Sequence, residues 1–324
     1  MLLRIFKTSQ PLSWILITLL LILVRLGLYI VFYNSSFEIQ TTGIASLFTH
    51  FLTGFSPLLS HFTATLIVIL SGFFLNSIGQ NINIFKGIHY LLFLIFGLFS
   101  SFYPENLVLT PFVISLPITL FSLNIILTQS KTAVHLPSVF NAAFLIGLSS
   151  IIYFPSIIYL ILLILSLLYL NNMQWRHLAI AIIGVATPWI FFDVTIFSLQ
   201  IESPYFFEIW NQSAGFFHFY TYRSIYAIGI LLFTTIFQSL SFIKTGNRSI
   251  IKIRKTYHIL FIFLLISIAL SGFITANESA LLAVIIIPIS ILFTSFHLET
   301  KKWWLSDLLF IAFMAAIGLN YYLI

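Results

Sequence analysis

Leu12-Ser-Trp14-Ile-Leu-Ile-Thr-Leu-Leu-Leu-Ile-Leu-Val-Arg25-Leu-Gly-Leu-Tyr29-Ile-Val-Phe-Tyr33 is an apolar run that carries a single charge, Arg25. A helix that crosses the hydrocarbon layer, about 30 Å thick, needs about twenty mostly apolar residues. This stretch supplies them. Arg4 and Lys7 precede it, as in a secretory leader. The run is too long for a leader, however, and no small-x-small cleavage site lies near Tyr33, so the reading is an uncleaved first span.

Composition extends that reading to the whole chain. Of 324 residues, 60% are hydrophobic and 7% charged, with a mean hydropathy of +1.10. A soluble domain draws about a quarter of its residues from Asp, Glu, Lys and Arg, and eight acids with fourteen bases cannot cover a surface of this size. The solvent is lipid. The net charge of +6 does not indicate nucleic acid, because the bases punctuate apolar runs rather than forming a stripe with aromatics between them. With no cysteine, disulfides, thiolate catalysis and Cys-based metal sites are excluded.

Spans are predicted at 13–33, 59–78, 88–103, 107–128, 137–153, 155–170, 178–198, 223–243, 257–275, 279–296 and 304–323. Tyr103-Pro-Glu-Asn106 turns the chain between the third and fourth, and Tyr153-Phe-Pro155 between the fifth and sixth. Proline stops a helix because its ring blocks the preceding turn and it offers no N–H. A rival reading fuses 137–170 into one kinked helix, and the charges decide between the two. With the N-terminus inside and eleven spans, the cytoplasmic segments hold Arg4, Lys7, Lys86, Lys131, Arg176, the cluster from Lys244 to Lys255, Lys301 and Lys302, which is twelve of the fourteen bases. The outer segments hold Glu38, Glu105, Glu202, Glu208 and Glu278. That is the split of the positive-inside rule, and fusing two spans would put the Lys244–Lys255 cluster outside. The expected fold is therefore an all-α, polytopic transmembrane bundle. It forms a single domain over 1–324, with the C-terminus outside and larger outer segments at 34–58 and 199–222. The expected place is the inner (plasma) membrane, with membrane lipids as partners and no cofactor.

Function is expected at the outer face. A charge within a span costs about 2.5–3.5 kcal/mol on insertion scales and needs a reason. Arg25 and Asp193 both lie in outer halves of spans. They read either as a pair lining a polar cavity, with Arg25 able to hold a phosphate, or as a structural ion pair, or as an arginine reaching the headgroups. Glu38 is the acid of the first outer segment, before a stretch at 44–52 that can form a surface helix. It reads as a general base on a hydroxyl or as a solvated loop acid. His50, His61 and His218 have no ligand spacing, and no metal site is predicted. The second outer segment, with Trp210 among tyrosines and phenylalanines between Glu208 and Arg223, reads as an aromatic belt or as a surface for a sugar or lipid head. Serine triads and phosphate-cradling glycine loops are missing from the sequence, and the cytoplasmic loops are too short for a nucleotide site.

Two resemblances add to this. The opening Arg4-Ile-Phe-Lys7-Thr-Ser-Gln-Pro11-Leu-Ser-Trp14 resembles the start of an uncharacterised family of polytopic membrane proteins from Bacteroidota. The order of a first span, an acid-bearing outer segment and tight hairpins resembles the GT-C class of polyprenyl-phosphate-dependent glycosyltransferases. So do Phe140-Asn-Ala-Ala-Phe-Leu-Ile-Gly147 with Tyr153-Phe-Pro155, Asn171-Asn-Met-Gln-Trp-Arg176 and Gly184-Val-Ala-Thr-Pro188-Trp189. That resemblance implies a lipid-linked sugar as donor, Glu38 as the acid, and Arg25 or Arg223 as the phosphate partner. The class usually carries an acidic pair in its first outer loop, where this chain has one glutamate. The alternative is a non-catalytic transporter or scaffold component of an envelope assembly.

Overall fold

The computed structural model describes residues 11–32, 56–85, 87, 89–128, 135–169, 174–198, 251–274, 278–300 and 303–322. Among these residues there is no strand. The helices are α1 (Pro11–Phe32), α2 (Pro57–Asn81), α3 (Leu91–Ser100), α4 (Pro111–Thr128), α5 (Leu136–Ile152), α6 (Tyr159–Tyr169), α7 (Trp175–Ser198), α8 (Ile251–Ile274), α9 (Glu278–Glu299) and α10 (Trp303–Tyr322). They coincide with ten of the eleven predicted spans. The eleventh, 223–243, lies outside the described residues. The boundaries follow the sequence. Pro11, Pro57 and Pro111 open helices where a missing N–H costs nothing, and the Ser56 hydroxyl caps α2 by accepting from the Leu59 N–H at 3.3 Å. Pro104 and Pro155 each set a short 3-10 turn, Pro104–Leu107 and Phe154–Ile158.

Among the described residues five helices are long and apolar enough to cross a membrane: Leu12–Val31, Pro57–Asn81, Pro111–Thr128, Trp175–Ser198 and Trp304–Tyr321. This is a helical membrane protein. Four further apolar helices are shorter, at Leu91–Ser100, Leu136–Ile152, Phe154–Tyr169 and Ile285–Leu298.

Side-chain contacts fix the direction of each helix. Arg25 meets Thr65 while Trp14 meets Phe73, so α1 and α2 run antiparallel. A Cβ on Gly79 would touch Leu92 and one on Gly72 would touch Phe93 and Phe96, so α3 returns along α2. Ser60 bonds Leu109 and Phe74 meets Phe121, so α4 runs with α2. Ser122 bonds the Ala142 carbonyl and Phe112 meets Tyr153, so α5 opposes α4. Helices α5 and α7 then run parallel, because Ala143 lies at Gly184, Gly147 at Val185 and Ser150 at Trp189. The chain between two parallel neighbours must return, and α6 is the return. A single kinked helix over 137–170 is not what forms. The α5–α7 approach depends on glycine: a Cβ on Gly147 would lie 2.6 Å from the Val185 carbonyl oxygen.

These directions define two ends. Arg25, His61, the 101–110 turn and Tyr153 share one end. Ile84 and Tyr257 share the other, where the Tyr257 hydroxyl donates to the Ile84 carbonyl at 2.6 Å. The last turn of α10 reaches the Arg25 end.

The centre of the bundle is α3. All ten of its residues are buried, between Leu21 of α1, the glycines of α2, and Phe293 and Phe313 beside Phe99. A helix apolar on every side belongs inside. At 1.5 Å per residue it is about 15 Å long, half the hydrocarbon thickness. Of the predicted span 88–103 only Leu91–Ser100 is helical, and the non-helical backbone that follows is covered by protein, Phe102 and Tyr103 being buried.

Candidate functional site

Helix α1 meets the bundle along one narrow stripe. Ser13, Ile17, Leu21, Arg25 and Tyr29 are buried, each four residues from the next, while Leu12, Ile15, Leu19, Leu23 and Val31 face outward. A four-residue period is one ridge of a helix surface, and the ridge carries a cation, Arg25, one turn before its end. Arg25 has no exposed surface at all.

A charge buried this deeply costs several kcal/mol unless hydrogen bonds replace its water. The neighbours supply them. Arg25 Nε donates to Thr65 Oγ1 at 3.1 Å, Nη1 to Ser101 Oγ at 3.2 Å, and Nη2 to the Asn106 carbonyl at 2.7 Å. The Ser101 hydroxyl donates its own proton to the Gly97 carbonyl at 2.8 Å, which leaves its lone pairs to accept from the guanidinium. Every partner is neutral. Among the described residues no carboxylate bonds Arg25. Its charge is offset by hydroxyl and carbonyl dipoles and by the negative end of α3, whose C-terminus stops beside it.

The same turn is held from three other places. His61 Nδ1 lies 2.8 Å from the Leu107 carbonyl. A carbonyl only accepts, so Nδ1 carries the proton. Tyr29 stacks on the His61 ring at 4.3 Å. The Ser60 hydroxyl accepts from the Leu109 N–H at 2.9 Å. From α10, Asn320 Nδ2 donates to the Phe102 carbonyl and the Tyr321 hydroxyl to the Ser101 carbonyl, both at 2.8 Å. The carbonyls of Ser101, Phe102, Asn106 and Leu107 leave the end of α3 and the turn after it. Each accepts from a side chain of α1, α2 or α10. Buried backbone acceptors must find partners somewhere, and here polar side chains converge to provide them.

The sequence-predicted site residues fare differently. Arg25 is at the centre of this hub. Asp193 is exposed on α7, between exposed Phe191 and Val194 and away from the face that carries Gly184 and Pro188. It is not a partner of Arg25, so the structure does not bring these two charges into an ion pair. His61 holds backbone. Glu38, His50, Glu208, His218 and Arg223 lie outside the described residues. Among the described residues no three of His, Asp and Glu gather as metal ligands. The hub also recruits Thr65, Ser101, Asn106, Asn320 and Tyr321, which sequence reasoning passes over. Two signals pointed to them: the polar pair Asn320-Tyr321 ending an apolar helix, and Asn106 in a proline turn.

Each of the three guanidinium nitrogens donates one bond to the chain, and the group is closed off from solvent.

No curated protein and no solved structure matches the chain. A model of a family of unknown function does, over residues 1–323.

Proposed function

The chain belongs to that family, DUF6427, and from this premise we propose that it is a non-catalytic scaffold component of an envelope assembly in the inner membrane, working at the outer face. The observation that carries the reading is the commitment of Arg25. A guanidinium placed to hold phosphate keeps its donors directed at an open site. Arg25 instead spends a bond from each of its nitrogens on Thr65, Ser101 and Asn106. Such an arginine makes a rigid end, which suits a protein that others assemble on.

In this reading the chain crosses eleven times, with its N-terminus in the cytoplasm. The helix directions support it. Helix α7 ends at the Arg25 end and α8 begins at the Tyr257 end, as they do in an eleven-span chain. Arg176 and Arg254 sit exposed at helix starts on the Tyr257 side, while the exposed Glu105 lies at the other end. Basic inside and acidic outside is the expected sense. Extraction of the full chain from its own membranes in mild detergent should recover protein partners at stoichiometric amounts, quantified by mass spectrometry. A monodisperse preparation of this chain alone would overturn the scaffold reading.

A GT-C-like transferase is the second reading, and one observation favours it. Helices α1 and α2 flank residues 33–55, and the Arg25–Thr65 and Tyr29–His61 contacts lock them together at that end. An acid in that segment starts from a fixed base, and a catalytic group needs positioning of that kind. Glu38 is then the general base, the donor is a polyprenyl-phosphate-linked sugar, and Arg223 rather than Arg25 holds its phosphate. Under this reading Glu38→Gln abolishes transfer while the protein still accumulates. Unchanged envelope glycans in that variant would dismiss it.

A further inference from the structure

We propose that the last turn of α10 governs the seating of α1, the two helices being joined as a clasp through Ser101. Helix α1 is held along a narrow line, through Trp14, Leu21, Arg25 and Tyr29. Its buried stripe is one residue wide, and between helices in lipid there is no hydrophobic driving force, so packing and polar contacts decide whether they associate. The strongest polar contacts of α1 are those of Arg25, and two of its three acceptors lie on the chain between α3 and α4, at Ser101 and Asn106. That stretch is not α-helical: Ser101 caps the end of α3, and Asn106 lies in the 3-10 turn Pro104–Leu107. Its orientation is set from the far side by α10, where Tyr321 holds the Ser101 carbonyl and Asn320 holds the Phe102 carbonyl.

Ser101 therefore has two faces. Its hydroxyl receives Arg25 from the first helix, and its carbonyl receives Tyr321 from the last. Release of the carbonyl side leaves the 101–102 peptide on the Phe102 N–H bond to the Phe99 carbonyl at 3.1 Å, with more freedom to rotate. Rotation moves the Ser101 hydroxyl and the Asn106 carbonyl away from the guanidinium. A buried arginine that loses acceptors is driven back toward water, and α1 lifts with it. Anything that grips the end of α10 thus changes the hold on α1, at the end from which residues 33–55 depart.

The chain has no cysteine, so a single reporter suffices. Tyr29→Cys places a thiol on the buried stripe of α1, and its reaction with a water-soluble maleimide in detergent micelles reads how often α1 lifts. Tyr321→Phe removes one oxygen and keeps the ring. In the Tyr29→Cys background it should raise the labelling rate about fivefold, the effect of one net hydrogen bond on an opening equilibrium. Asn320→Ala should raise it as well, by the same route. Equal labelling rates in the parent and in both variants would overturn the clasp, because α1 would then be seated independently of α10.

Discussion

Arg25→Leu is expected to unseat α1 and to lower stability by about 3 kcal/mol, read as an earlier melting transition of the detergent-solubilised protein. The leucine itself is welcome in lipid, and a composition argument predicts a gain of stability. The loss comes from what the arginine leaves behind. Thr65 and the Asn106 carbonyl each lose their donor, and the Ser101 hydroxyl keeps only the bond it gives to Gly97. Unsatisfied polar groups in a dry site cost about 1–3 kcal/mol each, partly relieved when the turn relaxes. Arg25→Lys should recover only part of the loss, because one ammonium cannot serve three acceptors spread around a planar fork. A variant that melts with the wild type would mean that Arg25 holds nothing.

Phe99→Ala should destabilise by about 3–5 kcal/mol, the usual cost of emptying a buried aromatic site. Phe99 is 1% exposed, with its ring 4.9 Å from Phe293 and 4.4 Å from Phe313. Those rings belong to α9 and α10, so one substitution loosens three helices. Neither Phe293 nor Phe313 can fill the gap without losing contact with the other, since they stand 5.3 Å apart. Thermal melting in detergent measures it. A shift smaller than that of an outward-facing control such as Phe197→Ala, where the side chain is 86% exposed, would contradict the packing.

Much of this architecture was written in the sequence, and the reasons are particular. Apolar runs broken by Pro104, Pro155 and clustered bases give helix positions, because lipid forces every backbone polar group into a helix. Arg25 was conspicuous for the same reason. Its partners were not, because they lie 40, 76 and 81 residues away and consist of one threonine, one serine and a backbone carbonyl. Hydroxyls are common in these helices and most bond their own backbone, as Ser115 does with Phe112 and Ser166 with Leu163. Nothing in the sequence distinguishes Thr65 from them. The reading of Arg25 and Asp193 as a pair, one of the alternatives their positions offered, illustrates a second limit. Sequence gives depth along a span, but not which side of the bundle the span occupies. Asp193 shares a depth with Arg25, while α7 packs on α5 and α1 packs on α2 and α3. Length misled at 88–103, where the apolar run from Leu91 to Phe99 looked fit for lipid and is instead buried in protein.

That last helix bears on how the protein enters the membrane. A segment that is released laterally into lipid must be apolar over about twenty residues to stay there. Helix α3 has ten. It is too short to be held as a span on its own, and the carbonyls of Ser101, Phe102, Asn106 and Leu107 that follow it accept from side chains of α1, α2 and α10. Gly72 of α2, which meets Phe93 and Phe96, and Gly79, which meets Leu92, are already made when α3 emerges, whereas Asn320 and Tyr321 follow their partners by 218 and 220 residues. Insertion of α3 is thus cooperative with α2, its environment stays provisional until α10 is made, and that end of the bundle is sealed by the Asn320 and Tyr321 bonds.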